Sequence, residues 1–220
     1  MNFINFHSHK AVTFSNVLQV ISYTVNEALN SKLSTFSTVG IHPWQSSDEN
    51  VSSMLSKLKQ IALEPNVIAI GEIGLDRLKG ADLTTQIELF KKQVDIAEKV
   101  QKPVVIHCVR SFSEIQELQK KLKPTTPWVI HNFMGNAQIA KSLVKQGFYL
   151  SFCIAFAKNP KIVEALKSTP ADRIFFETDD FIENIEEVYI AATSCLQMGI
   201  NELKVQIEKN FEVFFGTTPQ

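Results

Sequence analysis

The chain is poor in cysteine, has no long apolar run and has no excess of charge of one sign. Its three cysteines, Cys108, Cys153 and Cys195, are odd in number and far apart in 220 residues. That spacing argues against a disulfide framework and fits a reducing compartment. No stretch approaches the roughly 18 apolar residues of a membrane span. Residues 1–10 lack the basic segment and apolar core of a signal peptide. A cytoplasmic protein with no membrane partner is therefore expected. The formal net charge is −1, so no global basic field attracts nucleic acid. This weakens a simple binding-module reading but leaves room for an enzyme that grips a few phosphates locally. Linkers, low-complexity segments and internal repeats are also missing. The 45% hydrophobic and 20% charged content is that of an ordinary folded domain. One domain over residues 1–220 is expected.

What is present is a series of short β-like runs, at about 3–6, 17–23, 36–41, 67–71, 103–107, 128–131, 148–151 and 173–177. Several are continuously apolar and β-branched, as strands covered on both faces are. Helix-like segments lie between most of them. Residues 48–60 carry Val51, Met54, Leu55 and Leu58 at helical spacing, and residues 82–101 carry Ile87, Phe90, Val94, Ala97 and Val100 on one face. Residues 112–122, 136–146, 158–168, 185–197 and 200–214 behave alike. Alternation of strand and helix predicts a parallel sheet, and eight units predict a TIM-type (β/α)8 barrel. The gap between His9 and Leu18 is too short for a crossover helix. The first helix is expected to be missing or reduced to a turn.

All five histidines fall where such a barrel places its chemistry, after or at the ends of strand runs. His7 and His9 follow Phe3–Phe6, His42 follows Val39-Gly40-Ile41, His107 ends the run from Pro103, and His131 ends the run from Trp128. Glu72 follows Val67–Gly71 and Asp179 follows Ile174–Thr178. Residues i and i+2 of a strand share a face, so His7 and His9 can hold one ion together. Imidazole and carboxylate suit borderline and hard divalent ions. An H-x-H alone is weak evidence, and a lone histidine is more often a hydrogen-bonded structural residue. Structural histidines would scatter over helices and both strand ends, so the joint placement favours a metal site. Such a site, in which an ion activates water, is that of a hydrolase. Glu72 between two glycines of an apolar run is hard to explain as a solvated face. Cys108, beside His107, is expected to pack away from the barrel centre rather than act as a nucleophile. Lys10, Arg77, Lys79, Arg110 and Lys158 fall in expected loops after strands, where they can contact a phosphorylated substrate.

Six motifs, in order, also carry a family resemblance. They are His7-Ser8-His9, Gly40-Ile41-His42-Pro43, Gly71-Glu72-Ile73-Gly74-Leu75-Asp76, Pro103-Val104-Val105-Ile106-His107-Cys108, His131-Asn132-Phe133-Met134-Gly135 and Glu177-Thr178-Asp179. Together they resemble the TatD family of metal-dependent deoxyribonucleases, of the amidohydrolase superfamily. Gln86, Phe90, Gln93 and Ala97 are similar to its helix after the fourth strand. Lys209-Asn210-Phe211 with Phe214-Phe215-Gly216 is similar to its C-terminal signature. The resemblance implies one or two divalent ions (Zn, Mn or Mg). His7, His9 and Asp179 would hold one, His107 and His131 the second, and Glu72 would bridge. It further implies that Asp179 orients the attacking water, and that His42 lies near the substrate phosphate without ligating. Arg110 would contact the substrate, and Arg77 and Lys10 are added as substrate contacts from their place in the loops after strands.

Three departures stand out. Asn5 replaces the usual Asp two residues before the H-x-H. Arg110 stands three residues after His107, where the family often has arginine after two. The run Asp180-Phe181-Ile182 replaces a proline-containing loop. The chain is also some tens of residues shorter than usual. A more open rim is expected. The leading expectation is hydrolysis of phosphodiester bonds in DNA, at a strand end. Hydrolysis of a carboxylic ester or amide, such as an aminoacyl ester on transfer RNA, uses the same ligands and stays open. So does a metal-binding protein with weak or no catalysis.

Overall fold

A computed structural model describes residues 2–11, 15–181 and 184–218. Its eight strands are β1 (Phe3–Ser8), β2 (Val17–Thr24), β3 (Ser37–Gly40), β4 (Val67–Asp76), β5 (Val104–Val109), β6 (Trp128–Ile130), β7 (Tyr149–Cys153) and β8 (Ile174–Glu177). The helices are α1 (Val25–Asn30), α2 (Val51–Ile61), α3 (Leu83–Val100), α4 (Phe112–Leu122), α5 (Ala137–Lys145), α6 (Pro160–Lys167), α7 (Ile185–Leu196) and α8 (Ile200–Phe215). The strands follow one another in sequence order in a single eight-stranded sheet. The pairs β2–β3, β3–β4, β4–β5 and β7–β8 are parallel. A parallel bridge from Ser8 to Asp179 sets the end of β8 beside β1. This is the (β/α)8 topology that the alternation predicts.

The described residues between β1 and β2 contain no helix, as the short gap predicts; Val12, Thr13 and Phe14 lie outside the described residues. Two elements differ from expectation. Helix α1 has only one buried residue, Val25, and so shows no periodic stripe. Its start is nonetheless written in Thr24-Val25-Asn26-Glu27, a capping box in which the Thr24 hydroxyl accepts from the Glu27 N–H while Glu27 accepts from the Thr24 N–H. Strand β4 runs on to Asp76 rather than stopping near Gly71. The glycines do not end it; they let β5 approach. A Cβ at Gly74 would stand 1.9 Å from the His107 carbonyl oxygen, and one at Gly71 2.6 Å from Val105 Cβ.

The chain packs as two compact units, residues 21–129 and residues 1–20 with 130–220. In the first, α3 buries Leu89, Phe90, Val94, Ile96 and Ala97, and Phe90 meets Trp128 edge to face with ring centroids 5.4 Å apart. In the second, an aromatic core forms around Phe6, which stacks on Phe175 at 4.2 Å and meets Phe214 at 5.8 Å. Here the C-terminal motif finds its reason. Phe211 and Phe214 are buried, and Asn210 Nδ2 donates to the carbonyls of Ala171 and Ile174 at 2.8 Å each, which pins the start of β8. Gly216 caps α8 with φ +67°, where a side chain would be strained.

Candidate metal centre

In the unit of residues 21–129 the site grows from Gln86 and Gln93, seven positions apart and buried on α3. Gln93 pairs with both backbone groups of Ile41, accepting its N–H at 2.7 Å and donating to its carbonyl at 3.0 Å. That fixes the chain as it leaves β3 at His42. Gln86 accepts the Asp76 N–H at 2.7 Å and donates to the carbonyls of Asp76, Lys79 and Ala81, so it shapes the loop after β4. A side-chain amide offers both a donor and an acceptor, so one glutamine can pair with both backbone groups of a residue at a strand end.

His42 starts a 3-10 turn, Pro43–Gln45, and its Nδ1 accepts the Trp44 N–H at 3.2 Å. The neutral ring therefore carries its proton on Nε2, which donates to Glu72 Oε1 at 3.2 Å. His42 thus both caps the turn and reaches the site. With both nitrogens so used, it is placed as an orienting partner of Glu72. His107 has a carboxylate at each nitrogen: Glu72 Oε1 lies 2.6 Å from Nδ1 and Asp76 Oδ2 3.1 Å from Nε2. Binding an ion requires an unprotonated nitrogen. Donation of Nε2–H to Asp76 makes Nδ1, beside Glu72, the nitrogen that would bind. Asp76 is itself held by the Trp44 indole N–H at 2.7 Å and the Leu78 N–H at 2.8 Å. Burial alone would raise its carboxyl pKa, but these bonds and His107 outweigh burial and hold it below the usual range.

In the other unit, His7 Nε2 and His9 Nε2 approach to 3.3 Å, and Asp179 Oδ1 lies 3.4 Å from the His9 nitrogen and 3.8 Å from that of His7. Ligands bound at about 2.1 Å stand ~3.0–3.4 Å from one another around a tetrahedral or octahedral ion. Two of the three spacings fall in this range and the third, His7 to Asp179 at 3.8 Å, is wider, so the trio approaches the arrangement that holds a divalent cation. Asp179 sits at φ +53°, and Asn132 Nδ2 donates to its Oδ2 at 2.9 Å, turning Oδ1 toward the histidines. His131 lies 4.4 Å from His7 between ring centroids. Its Nδ1 is 3.2 Å from Glu177 Oε1, which also accepts the Asn132 N–H at 2.9 Å. Glu177 is fully buried; burial pushes its carboxyl up, against the opposing pull of His131. With Nδ1–H donated to Glu177, Nε2 is the His131 nitrogen that would bind an ion. Asn5 joins Thr178 twice, its Nδ2 donating to Oγ1 at 2.8 Å and its Oδ1 accepting the Thr178 N–H at 3.0 Å. The amide at this position thus anchors the residue before Asp179.

Each sequence-predicted ligand belongs to a cluster able to hold an ion: His7, His9 and Asp179; His131, Glu177 and Asp179; His42, Glu72 and His107. Glu72 and His107 lie inside strands rather than after them, because β4 and β5 are longer than expected. The cationic residues are less uniform. Arg110 is exposed with φ +53°, Lys10 and Lys158 are exposed, Arg77 is paired with Glu114, and Lys79 lies over the Trp44 ring. Burial pushes the Cys108 thiol up to about 12, which disfavours the thiolate a nucleophile needs. Sequence reasoning assigned no role to Asp76, Glu177 or Trp44. Asp76 is four residues from Glu72 and Glu177 two from Asp179, so strand alternation carried to the true strand ends could have found both. Nothing in the sequence marked Trp44.

Barrel topology with clusters of histidine and carboxylate able to hold an ion at or near strand ends is that of a class of metal-site (β/α)8 proteins. Within it, a family profile described as TatD related DNase matches residues 6–216, and the chain belongs to that family. An uncharacterized metal-dependent hydrolase of Bacillus subtilis is 30% identical over 148 residues, 66% of this chain and 58% of that protein. A 3′-5′ ssDNA/RNA exonuclease TatD of Cronobacter turicensis is 32% identical over 149 residues, 66% of this chain and 56% of that one. The matched part of the chain spans less than two thirds of the length of these curated relatives. The crystal structure of a TatD homologue of Escherichia coli superposes with a TM-score of 0.83 at 21% identity, covering 98% of each chain.

Proposed function

We propose that the protein is a metal-dependent phosphodiesterase acting on an end of a nucleic-acid strand, DNA in the first place. The observation that carries this is the convergence of His7, His9 and Asp179 close to ligand spacing. Membership of the TatD related DNase family supports the choice of phosphorus over carbon as electrophile. His7, His9, Glu72, His107, His131 and Asp179 are the proposed ligands of one or two divalent ions. A bound ion supplies Lewis acidity and makes water acidic enough to give up a proton near neutral pH. The chain's own residues then divide the remaining work. Asp179 holds the proton taken from the attacking water, with Asn132 fixing the carboxylate's direction. Glu177 and Asp76 hold the tautomers of His131 and His107. His42 orients Glu72 and lies where a phosphate oxygen can be met. Arg110 and Lys10 are the first candidates for gripping phosphate, ahead of Arg77, whose guanidinium already holds Glu114. The family profile covers residues of both units, which supports reading residues 1–220 as one catalytic domain. Three cysteines kept as thiols support a cytoplasmic location.

The test compares a short single-stranded DNA, bis(p-nitrophenyl) phosphate and p-nitrophenyl acetate, each with Mg²⁺, Mn²⁺ and Zn²⁺. Metal-dependent cleavage of the two phosphodiesters is expected, with the acetate little changed. Cleavage of the acetate alone would overturn the reading. Elemental analysis of Glu72→Ala should show clear metal loss; full metal content would remove Glu72 from the ligand set.

A further inference from the structure

The proposed activity makes no use of Trp44, yet the placement of this residue is unusual. It is 48% exposed, a large aromatic left half in solvent. It is nonetheless held in place. Its indole N–H is bound to Asp76 Oδ2 at 2.7 Å, and its backbone N–H to His42 Nδ1 at 3.2 Å. The ring meets His42 edge to face at 4.6 Å and His107 at 5.9 Å, so it stands beside the proposed ligand end. Lys79 places its ammonium 3.8 Å from the ring centroid. The loop that carries Lys79 is locked to the turn that carries Trp44. A Cβ at Gly80 would lie 2.3 Å from the Pro43 carbonyl oxygen, and the Ala81 N–H donates to Ser46 Oγ at 2.9 Å. Leu78, 60% exposed, extends the apolar surface of the same loop while its N–H binds Asp76.

We infer that Trp44 and Lys79 form a nucleotide subsite, in which an unpaired base stacks on the indole and the ammonium takes a phosphate of the same strand. A fixed aromatic beside a cation is the combination by which proteins hold single strands with little regard to sequence, since every base has a π-face. Fixing the ring in advance spares the ordering cost of binding. A base inside a duplex is already stacked on both faces, so the subsite selects a frayed or single-stranded end. This inference rests on the phosphodiesterase reading and deepens it by naming the feature of the substrate that is recognised, and its test separates the two.

The test has two arms. In the first, Trp44 fluorescence is titrated with single-stranded phosphorothioate oligonucleotides whose terminal residues carry thymine or are abasic. Trp128 is 1% exposed and serves as the silent background. Quenching by the base-bearing strand but not the abasic one is expected, and Trp44→Phe should remove the quenching signal without removing binding. In the second arm, kcat/KM is compared on phosphodiester strands of the same two kinds. The wild type should prefer the base-bearing end by about 10-fold, within the usual range for base–aromatic stacking. Trp44→Phe should keep most of that preference. Trp44→Gln, which retains an N–H for Asp76 but has no ring, should lose it through KM. Quenching without any DNA cleavage would leave the subsite standing and remove the phosphodiesterase reading. DNA cleavage with no quenching and no base preference would do the reverse. Equal preference in the wild type and Trp44→Gln would overturn the subsite.

Discussion

Asp179 shows how much one residue carries. Its φ of +53° is costly for most side chains, and Asn132 directs one of its oxygens away from the histidines and so the other toward them. Asn tolerates this backbone as well as Asp does, so Asp179→Asn should fold normally. It cannot take a proton. With metal saturated, turnover on a phosphodiester should fall by about 10²–10⁴-fold while the melting temperature stays close to wild type. Wild-type turnover in that variant would exclude Asp179 from the chemistry. Arg110 and Asn132 share the left-handed backbone at φ +53° and +42°, again just beyond predicted ligands. Residue type and position were legible at these places. The backbone turn that aims each side chain was not, because arginine has no preference for a positive φ and the tolerance of aspartate and asparagine for it does not say where it occurs.

At the level of elements, α3 is the clearest case of a helix that serves both core and site. Its apolar stripe was evident from spacing, and Gln86 and Gln93 lie on that same buried face. Replacing Gln93 with Leu should strand the N–H and carbonyl of Ile41. Each unsatisfied buried group costs about 1–3 kcal/mol, so urea denaturation should report a loss of about 2–6 kcal/mol. A loss below about 1 kcal/mol, under that range, would mean that the end of β3 does not need Gln93. The other end of α3 makes a prediction about acid. Burial tends to raise the Glu98 carboxyl, but the hydroxyls and N–H groups of Thr125 and Thr126 outweigh it and the pKa is lowered. A lowered folded-state pKa contributes stability above the unfolded value of about 4.3, and that stability is lost as pH falls through the folded value. Glu98→Gln should therefore melt below wild type at about pH 7, and the gap should close as the pH falls below about 4. A gap that stays constant down to about pH 3 would show that the charge contributes nothing.

At the scale of the whole molecule, each candidate cluster joins residues that lie far apart in sequence and meet only in the native fold. A metal that binds the native state alone adds stability by mass action, about 2.7 kcal/mol at about 100 times its dissociation constant. Chelator treatment should lower the melting temperature, and restoring Zn²⁺ or Mn²⁺ should raise it in a concentration-dependent way. No such dependence is expected in a variant lacking both His7 and His9. If chelation left wild type unmoved, the clusters would not be acting as a metal site in solution. Among the described residues no helix is long and apolar enough to cross a membrane, in line with the absence of long apolar runs.

The order of residues alone was enough to read the strand and helix alternation, the lack of a helix among the described residues between β1 and β2, and the six proposed ligand positions at or near strand ends. These are readable because hydrophobic periodicity is local, and because histidines and carboxylates that recur at the ends of several apolar runs are hard to explain as scattered structural residues. Asn5 also announced itself as a departure, though its double bond to Thr178 did not. Folding was needed to set Asp76 and Glu177 behind His107 and His131 and to pair Arg77 with Glu114. It alone placed Trp44 against Asp76, 32 residues away in sequence. Such contacts depend on the true length of β4, on a break in its register with β5 between Ile70 and Ile73, and on two loops locked by Gly80. None of these leaves a periodic trace, because each is a meeting of side chains and backbone that the chain makes only once it has folded.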